Sequence, residues 1–152
     1  MITKENQARM NEIARRQHTE CHLCGKNMPH GFRLQFCVQP DQAIQADYQP
    51  EASRQGYRGI LHGGVIASLL DSAMTHALFA RGIVAVTARL SVRYRHPIRI
   101  DVPVVVRGWV IDANLPVCNV AAEIRQEGWL LAQASGLFMA SPNTICPQES
   151  EG

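Results

Sequence analysis

The chain has 152 residues with a formal net charge of +2 at pH 7, and 46% of the residues are hydrophobic against 18% charged. This length fits one domain with a sizeable core, and the small net charge gives no reason to expect nucleic acid or a membrane as a partner. The apolar share is more than a small monomer conveniently hides, which predicts self-association.

The N-terminus and the cysteines together predict a cytoplasmic location. Residues 1–7 lack the apolar core of a signal peptide, and no segment is expected to span a bilayer. Five cysteines are an odd count, and without an export signal they are interpreted as reduced thiols.

The first third of the chain is predicted to hold a helix and a hairpin. Residues 1–20 form an N-terminal segment with a short helix over Thr3–Arg16, and the turn-rich connection Cys21–Gly31 follows. Phe32–Val38 largely alternates apolar and polar residues, which predicts a half-buried strand with Ala43–Tyr48 as its hairpin partner.

The segment Gly63–Ala80 is apolar on nearly every side, and Asp71 is its single formal charge. Such a helix belongs in a protein interior. Burying an unpaired carboxylate there costs free energy or shifts its pKa, so Asp71 is a functional candidate. The alternative places Asp71 on a solvated stripe with Ser68, Ser72 and Thr75.

Strand patterns follow the helix. Residues 86–95 alternate in character, and turn signals separate three further predicted strands: Val102–Asp112, Pro116–Gln126 and Trp129–Ala140. A long buried helix followed by consecutive antiparallel strands predicts an α+β fold over residues 21–140. The polar residues 141–152 are predicted to be a flexible tail.

A helix wrapped by a curled antiparallel sheet is the arrangement of the hot-dog fold. The run His62-Gly63-Gly64-(six residues)-Asp71 resembles the acyl-CoA thioesterases related to the phenylacetate-pathway enzyme PaaI. The resemblance implies a hot-dog fold, an acyl-CoA substrate, and a homodimer or a dimer of dimers with a site at the subunit interface.

Two further segments resemble this family. Gly82–Ile98 is similar to its strand of the type Thr-x-x-Leu-x-Val-x-Tyr-x-x-Pro, and Thr87 stands where the subgroup called thioesterase-superfamily members has an assisting threonine or serine. Cys21–Phe32 looks like the family's Cys-x-x-Cys-Gly lead-in, although Met28 and Phe32 depart from the usual asparagine and leucine.

Gly63 and Gly64 suit an oxyanion site. At a helix start their backbone N–H groups point outward, with the positive end of the helix dipole behind them, and without side chains they let a ligand carbonyl approach. Losing one such donor typically costs about 10²–10³ in rate. The alternative is that the glycines serve a tight turn or close packing.

The spacing between the glycines and the acid argues for a dimer. Asp71 lies seven residues beyond Gly64, about 10 Å along a helix axis, so one carbonyl cannot easily touch both in one chain. Two antiparallel helices about 8–10 Å apart bring the Asp71 of one beside the Gly64 of the other.

In such a site Asp71 acts as general base on a water or attacks the thioester carbon itself. Thr87 is predicted to hold the water or the acid, and His62 to orient the loop or the thioester, or only to cap the helix. Phosphate contacts are assigned to one predicted strand face shared with Thr87: Arg89, Arg93 and Arg95. A solvated face is the alternative for these arginines.

Cys21 and Cys24 have zinc-ligand spacing, and further potential ligands lie nearby: His18, His22, His30 and Cys37. A structural zinc usually shows a second tight pair, which this sequence lacks, so neither a metal nor a cofactor is predicted, and metal binding by Cys21 and Cys24 is left open.

Two rivals to a thioesterase remain. The first is a non-catalytic acyl-CoA binder or sensor, since fold alone does not settle function. The second is a hydratase or dehydratase on the same fold, which needs a histidine beside the acid. His76 lies about 140° round the helix from Asp71, which disfavours it. The acyl group is left open.

Overall fold

A computed structural model describes residues 2–140 of the chain. In chain order it contains two α-helices and six strands. Their bounds are α1 Ile2–Gln17, β1 Cys37–Val38, β2 Ile44–Tyr48, α2 Gly63–Ala80, β3 Val86–Tyr94, β4 Val104–Asn114, β5 Val117–Gln126 and β6 Trp129–Met139. A short 3₁₀ turn, Ala52–Arg54, precedes α2.

The strands form one antiparallel sheet in the order β1-β2-β4-β5-β6-β3, and α2 packs against its inner face. Alternate residues of the central strands point at α2 and are buried, as a one-sided sheet requires. The sheet is open, and β3 has a paired neighbour on one side only among residues 2–140. The predicted α+β layer arrangement is therefore confirmed.

The helix α2 lies close to the sheet where Gly108 faces it. A Cβ at Gly108 would stand 2.6 Å from the carbonyl oxygen of Ala73, so only glycine lets the helix backbone approach β4 this closely. At its C-terminal end α2 stops at Ala80, with Arg81 as the capping residue, and Gly82 turns the chain with φ 77°.

Helix α1 confirms the predicted N-terminal helix and lies on α2. Its Met10 is 1% exposed and belongs to the same core as α2. This helix is therefore packed into the fold along one side.

The strand predicted over Phe32–Val38 is wrong in extent. Only Cys37 and Val38 pair with β2. Arg33 has a left-handed backbone with φ 53°, which interrupts an extended strand, and the N–H of Leu34 donates to the Leu23 carbonyl oxygen. The burial that the alternation predicts is nevertheless observed, since Leu34 and Phe36 are buried.

The later strand boundaries move by one or two residues. Strand β4 starts at Val104, since Pro103 has no N–H to give to a sheet, and it runs through the predicted turn to Asn114, leaving Leu115 and Pro116 to connect it to β5. The predicted flexible tail lies outside the described residues.

Helix α2 is, by length and composition, apolar enough to cross a membrane, contrary to the expectation that no segment is. In the fold 67% of it is buried. A core helix of a soluble protein passes the same test, so this finding is weak evidence for a membrane span.

Candidate active site

The structure brings Asp71 of α2 and Thr87 of β3 into contact. The Thr87 hydroxyl donates a hydrogen bond of 2.6 Å to Oδ1 of Asp71. A threonine hydroxyl that donates to a carboxylate can hold it in one rotamer and favours its ionised form. The pairing of acid and threonine predicted from the sequence is therefore present.

The environment of Asp71 raises the pKa of its carboxyl group above the ordinary value. Burial is the largest cause, and the hydrogen bond from Thr87 opposes it. The charge of Cys21 raises this pKa further, while that of His18 lowers it. A carboxylate with a raised pKa is a stronger base than an ordinary one when it is ionised, which suits proton abstraction from water.

Asp71 lies on a stripe of α2 that the rest of the chain leaves partly uncovered. Gly64, Ser68 and Thr75 share this stripe at helical spacing, whereas Ser72 is buried. The hydroxyls of Ser68 and Thr75 donate to the carbonyl oxygens of Gly64 and Asp71, so they need no other partner. The stripe is thus a partly exposed surface formed by small residues and one carboxylate.

His62 caps the start of α2. Its Nδ1 accepts a hydrogen bond of 2.8 Å from the backbone N–H of Gly64. The capping alternative for this histidine is confirmed, and it has a consequence for the predicted oxyanion site. The Gly64 N–H is engaged here, so it becomes a donor for a ligand only when the His62 ring turns away.

Two other N–H groups of the first turn are available. Within residues 2–140, neither the Gly63 nor the Val65 N–H has an acceptor at hydrogen-bonding distance. Gly63 is the first residue of α2, so its N–H points outward from the helix start, which is the positive end of the helix dipole. The predicted donor region is thus present, with Gly63 as its unoccupied member.

Tyr94 holds the same helix start from the side, and the sequence analysis assigned it no role. Its hydroxyl donates a hydrogen bond of 2.8 Å to the carbonyl oxygen of Gly63. A Cβ on Gly63 would lie 3.6 Å from the Tyr94 ring, which is ordinary contact. The Tyr-x-x-Pro pattern ending at Pro97 was the available signal, but it carried no information about which atom the tyrosine meets.

A β-bulge in β3 changes the faces of its side chains. Thr87 pairs with Phe138 while Arg89 pairs with Leu137, so Ala88 is an extra residue without a partner. Phe138 is fully buried beneath α2, which places Thr87 on the helix side of the sheet. Arg89, opposite Leu137, faces the other way.

The three arginines therefore do not share the face of Thr87, and that expectation is wrong. Arg93 pairs with Gln133 on the outer face, and Arg95 donates a hydrogen bond of 3.1 Å to the Gln133 side chain. All three arginines are exposed. A ligand held at Asp71 would reach them only round the free edge of β3.

His76, the second histidine near the acid in sequence, is not part of the site. It is 4% exposed, and its ring nitrogen Nδ1 lies 2.9 Å from the Ser72 carbonyl oxygen. Burial lowers the pKa of His76 to about 4, so it is neutral at pH 7. The acid–histidine pair of a hydratase is absent from this part of α2.

Comparison with known proteins agrees with this geometry. Residues 58–132 match the family model described as the thioesterase superfamily. Over these residues the chain is therefore similar to the thioesterase superfamily. The match runs from the loop before α2 into β6 and so contains the helix start, the acid and the threonine.

The chain is also similar to individual proteins of this kind. Acyl-coenzyme A thioesterase THEM4 of Rattus norvegicus is 30% identical over 119 residues, which are 75% of this chain and 51% of that protein. The chain thus spans about half the length of this curated relative. A protein described as a thioesterase superfamily protein has a crystal structure that is 28% identical, with a TM-score of 0.67 over 70% of this chain and 55% of the other.

The PaaI protein of E. coli, from the phenylacetic acid degradation operon, shows the fold. It is 13% identical and superposes with a TM-score of 0.77 over 93% of this chain and 96% of its own. The predicted hot-dog fold is confirmed.

Proposed function

We propose that this chain hydrolyses acyl-CoA thioesters to a free acid and coenzyme A. The observation that carries the proposal is the half-buried Asp71 carboxylate, fixed by Thr87 on an uncovered stripe of a helix whose N-terminus offers free N–H donors. The name of the similar rat protein supports coenzyme A thioesters as the substrate class.

The reaction uses both ends of this arrangement. Asp71 takes a proton from a water molecule whose oxygen attacks the thioester carbon, giving a tetrahedral oxyanion. Backbone N–H groups at a helix start stabilise that oxyanion. When the intermediate collapses the carbon–sulfur bond breaks, and the proton on Asp71 passes to the departing thiolate. Direct attack by Asp71, giving a mixed anhydride that water then hydrolyses, is the alternative route.

The proposed site is shared by two subunits. Asp71 and the helix start lie about 10 Å apart along one axis, so the N–H donors come from the α2 of a second copy lying antiparallel on the uncovered stripe. Gly64 has no side chain and that of Ser68 is small, so two helix backbones can approach closely here. The edge of β3 that is unpaired within residues 2–140 adjoins this stripe and offers its backbone groups to a second copy.

The arginines keep a restricted role in this proposal. Arg89, Arg93 and Arg95 contact coenzyme A phosphates only if the cofactor portion of the substrate crosses the free edge of β3 to the outer face. Guanidinium groups there would bind phosphate as bidentate donors.

The primary experiment measures thiol release from a panel of acyl- and aryl-CoA thioesters. Asp71→Asn is expected to lose about 10² or more in kcat/KM, because a neutral amide cannot accept the proton. Asp112→Asn is the matched control, since Asp112 is an exposed carboxylate on β4 that bonds only Asn119 among the described residues. If wild type cleaves no thioester but is stabilised by them against heat, the binder alternative replaces the proposal.

The oxyanion donor has its own test. Gly63→Pro removes the free N–H while proline suits the first position of a helix, and the extended backbone of His62 tolerates a following proline. Gly63→Ala keeps the N–H and is the control. A loss of about 10²–10³ in kcat for proline but not alanine is expected, and equal activity would assign the oxyanion to other donors.

Sharing between subunits is tested by mixing. Asp71→Asn and Gly63→Pro are each inactive in this scheme, but a heterodimer of the two contains one intact site. Random reassociation at equal concentrations is expected to restore about a quarter of the wild-type activity. No recovery, from variants that do exchange subunits, would place each site within one chain.

A further inference from the structure

Three side chains with metal-binding atoms meet at the end of α1, and none of them takes part in a step of the proposed hydrolysis, although the charges of Cys21 and His18 act on the pKa of Asp71. The ligand atoms of His18, Cys21 and Cys24 all lie within 4.8 Å of one another, and all three residues are partly buried. His18 directly follows α1, and the two thiols belong to the turn that leads away from it. These residues are close in sequence, but only the turn brings their side chains to one point.

The separations fit a tetrahedral ion. Zinc binds thiolate sulfur at about 2.3 Å and imidazole nitrogen at about 2.0–2.1 Å, so a sulfur and a nitrogen on one tetrahedral zinc stand roughly 3.6 Å apart. Cys24 Sγ and His18 Nδ1 are separated by 3.4 Å. An ion fits between these ligands with small side-chain adjustments.

The backbone of the turn supports sulfur ligands. The N–H of Leu23 points at Cys21 Sγ from 3.4 Å, and the N–H of Gly25 donates to the Cys21 carbonyl oxygen at 2.8 Å. An N–H donor to a ligating thiolate is the kind of surrounding hydrogen bond that orients metal ligands. A Cβ at Gly25 would lie 2.5–2.6 Å from backbone atoms of Cys21 and Thr19, so this tight turn requires glycine.

The His18 ring is held in place from the opposite side. It packs edge-on against Phe79 of α2, with ring centroids 5.0 Å apart, and near His76 at 6.2 Å. The imidazole is thus oriented by the core before any ion binds. Preorganised ligands lose less entropy on binding than mobile ones.

We propose that His18, Cys21 and Cys24 form a binding site for a thiophilic divalent ion of the zinc class. Among residues 2–140 no fourth histidine, cysteine or carboxylate joins this cluster. Two sulfurs and one imidazole therefore leave the fourth tetrahedral position to water or to an added ligand. The ion ties the end of α1 and the following turn together over α2.

The test uses the full chain, reduced and freed of metal with a chelator, and titrated with Co²⁺ without oxygen. Wild type is expected to bind one equivalent with sulfur-to-cobalt charge-transfer absorption and tetrahedral visible bands, and Zn²⁺ is expected to displace it. A dissociation constant of about 1 μM or tighter for Zn²⁺ is expected of a preorganised three-ligand site. Zn²⁺ is also expected to raise the melting temperature.

The variants separate ligation from folding. Cys24→Ser is expected to bind at least about 10²-fold more weakly, with loss of the charge-transfer band. Cys37→Ser is the matched control, because Cys37 is exposed on β1 away from the cluster. His18→Gln is expected to lose binding, whereas His18→Cys supplies a ligand again and is expected to retain it, with circular dichroism confirming that each variant is folded.

Three results would overturn the proposal. One is a reduced wild type that shows no charge transfer with Co²⁺, and another is unchanged binding in Cys24→Ser. The third is a Cys21–Cys24 disulfide that forms in air while the reduced protein binds no metal, which would make the pair a redox couple instead.

Discussion

Replacing Thr87 by valine removes the hydroxyl that holds Asp71 while keeping the size and shape of the side chain. The bond is 2.6 Å long and joins a hydroxyl to a carboxylate, and hydrogen bonds to charged groups contribute about 1.5–3 kcal/mol. If the bond persists in the transition state, its loss lowers kcat/KM by about 10- to 10²-fold, since each 1.36 kcal/mol is tenfold in rate.

The pH profile gives the same substitution a second readout. The hydrogen bond from Thr87 lowers the pKa of Asp71 against the effect of burial, so Thr87→Val raises that pKa further. Because the base must be ionised, the acid limb of kcat/KM against pH moves to higher pH in the variant. Part of the lost activity is therefore recovered as the pH rises.

The control is Thr75→Val, the same change at a threonine of α2 that lies one turn beyond Asp71. The Thr75 hydroxyl bonds the backbone carbonyl of Asp71 rather than its carboxylate, and valine keeps the size of the side chain on the stripe, so the acid limb of the profile is expected to stay in place. Thioester hydrolysis from pH 4 to 9 measures both variants. An unshifted acid limb in Thr87→Val, or an equal effect of Thr75→Val, would refute the reasoning.

Three further predictions concern stability and the helix start. Burial raises the pKa of Asp71, so the folded state holds this proton more tightly than the unfolded chain, and stability declines as the pH rises through the folded pKa. Asp71→Asn is expected to remove that decline and to melt higher than wild type at pH 8 but not at pH 4; a lower melting temperature at pH 8 would contradict this. Gly108→Ala, whose Cβ would lie 2.6 Å from the Ala73 carbonyl oxygen, is expected to lose about 1–3 kcal/mol of unfolding free energy in urea, and an unchanged value would show that α2 can shift. Tyr94→Phe loses the hydrogen bond to the Gly63 carbonyl oxygen, and such a bond contributes about 0.5–1.5 kcal/mol. The variant is expected to lower kcat/KM by up to about tenfold and to leave the acid limb of the pH profile in place. A moved acid limb would mean that Tyr94 acts on Asp71.

The sequence predicted the features that depend on composition and periodicity. The apolar run with one carboxylate identified α2 and Asp71, whereas Thr87 was assigned to the acid by the resemblance to the thioesterase family. These predictions succeed because a buried helix and a half-buried sheet leave their periods in the chain.

The sequence did not predict features set by single backbone dihedrals or by the direction of one side chain. The alternation from Val86 to Tyr94 continues through Ala88 without a sign of the bulge. The sequence around Arg33 likewise gives no sign of its left-handed backbone. Whether the Gly64 N–H is free depends on the ring of His62. These are local choices that tertiary contacts decide.

The extra residue in β3 allows this strand to form hydrogen bonds with α2 at two points. Thr87 bonds Asp71 in the middle of the helix, and Tyr94 bonds Gly63 at its first residue. These two strand residues are seven apart, and in a regular strand an odd separation turns side chains to opposite faces. Without Ala88 as an unpaired residue, one of the two bonds would be lost, so a single irregularity in β3 allows the strand to hold both the middle and the start of α2.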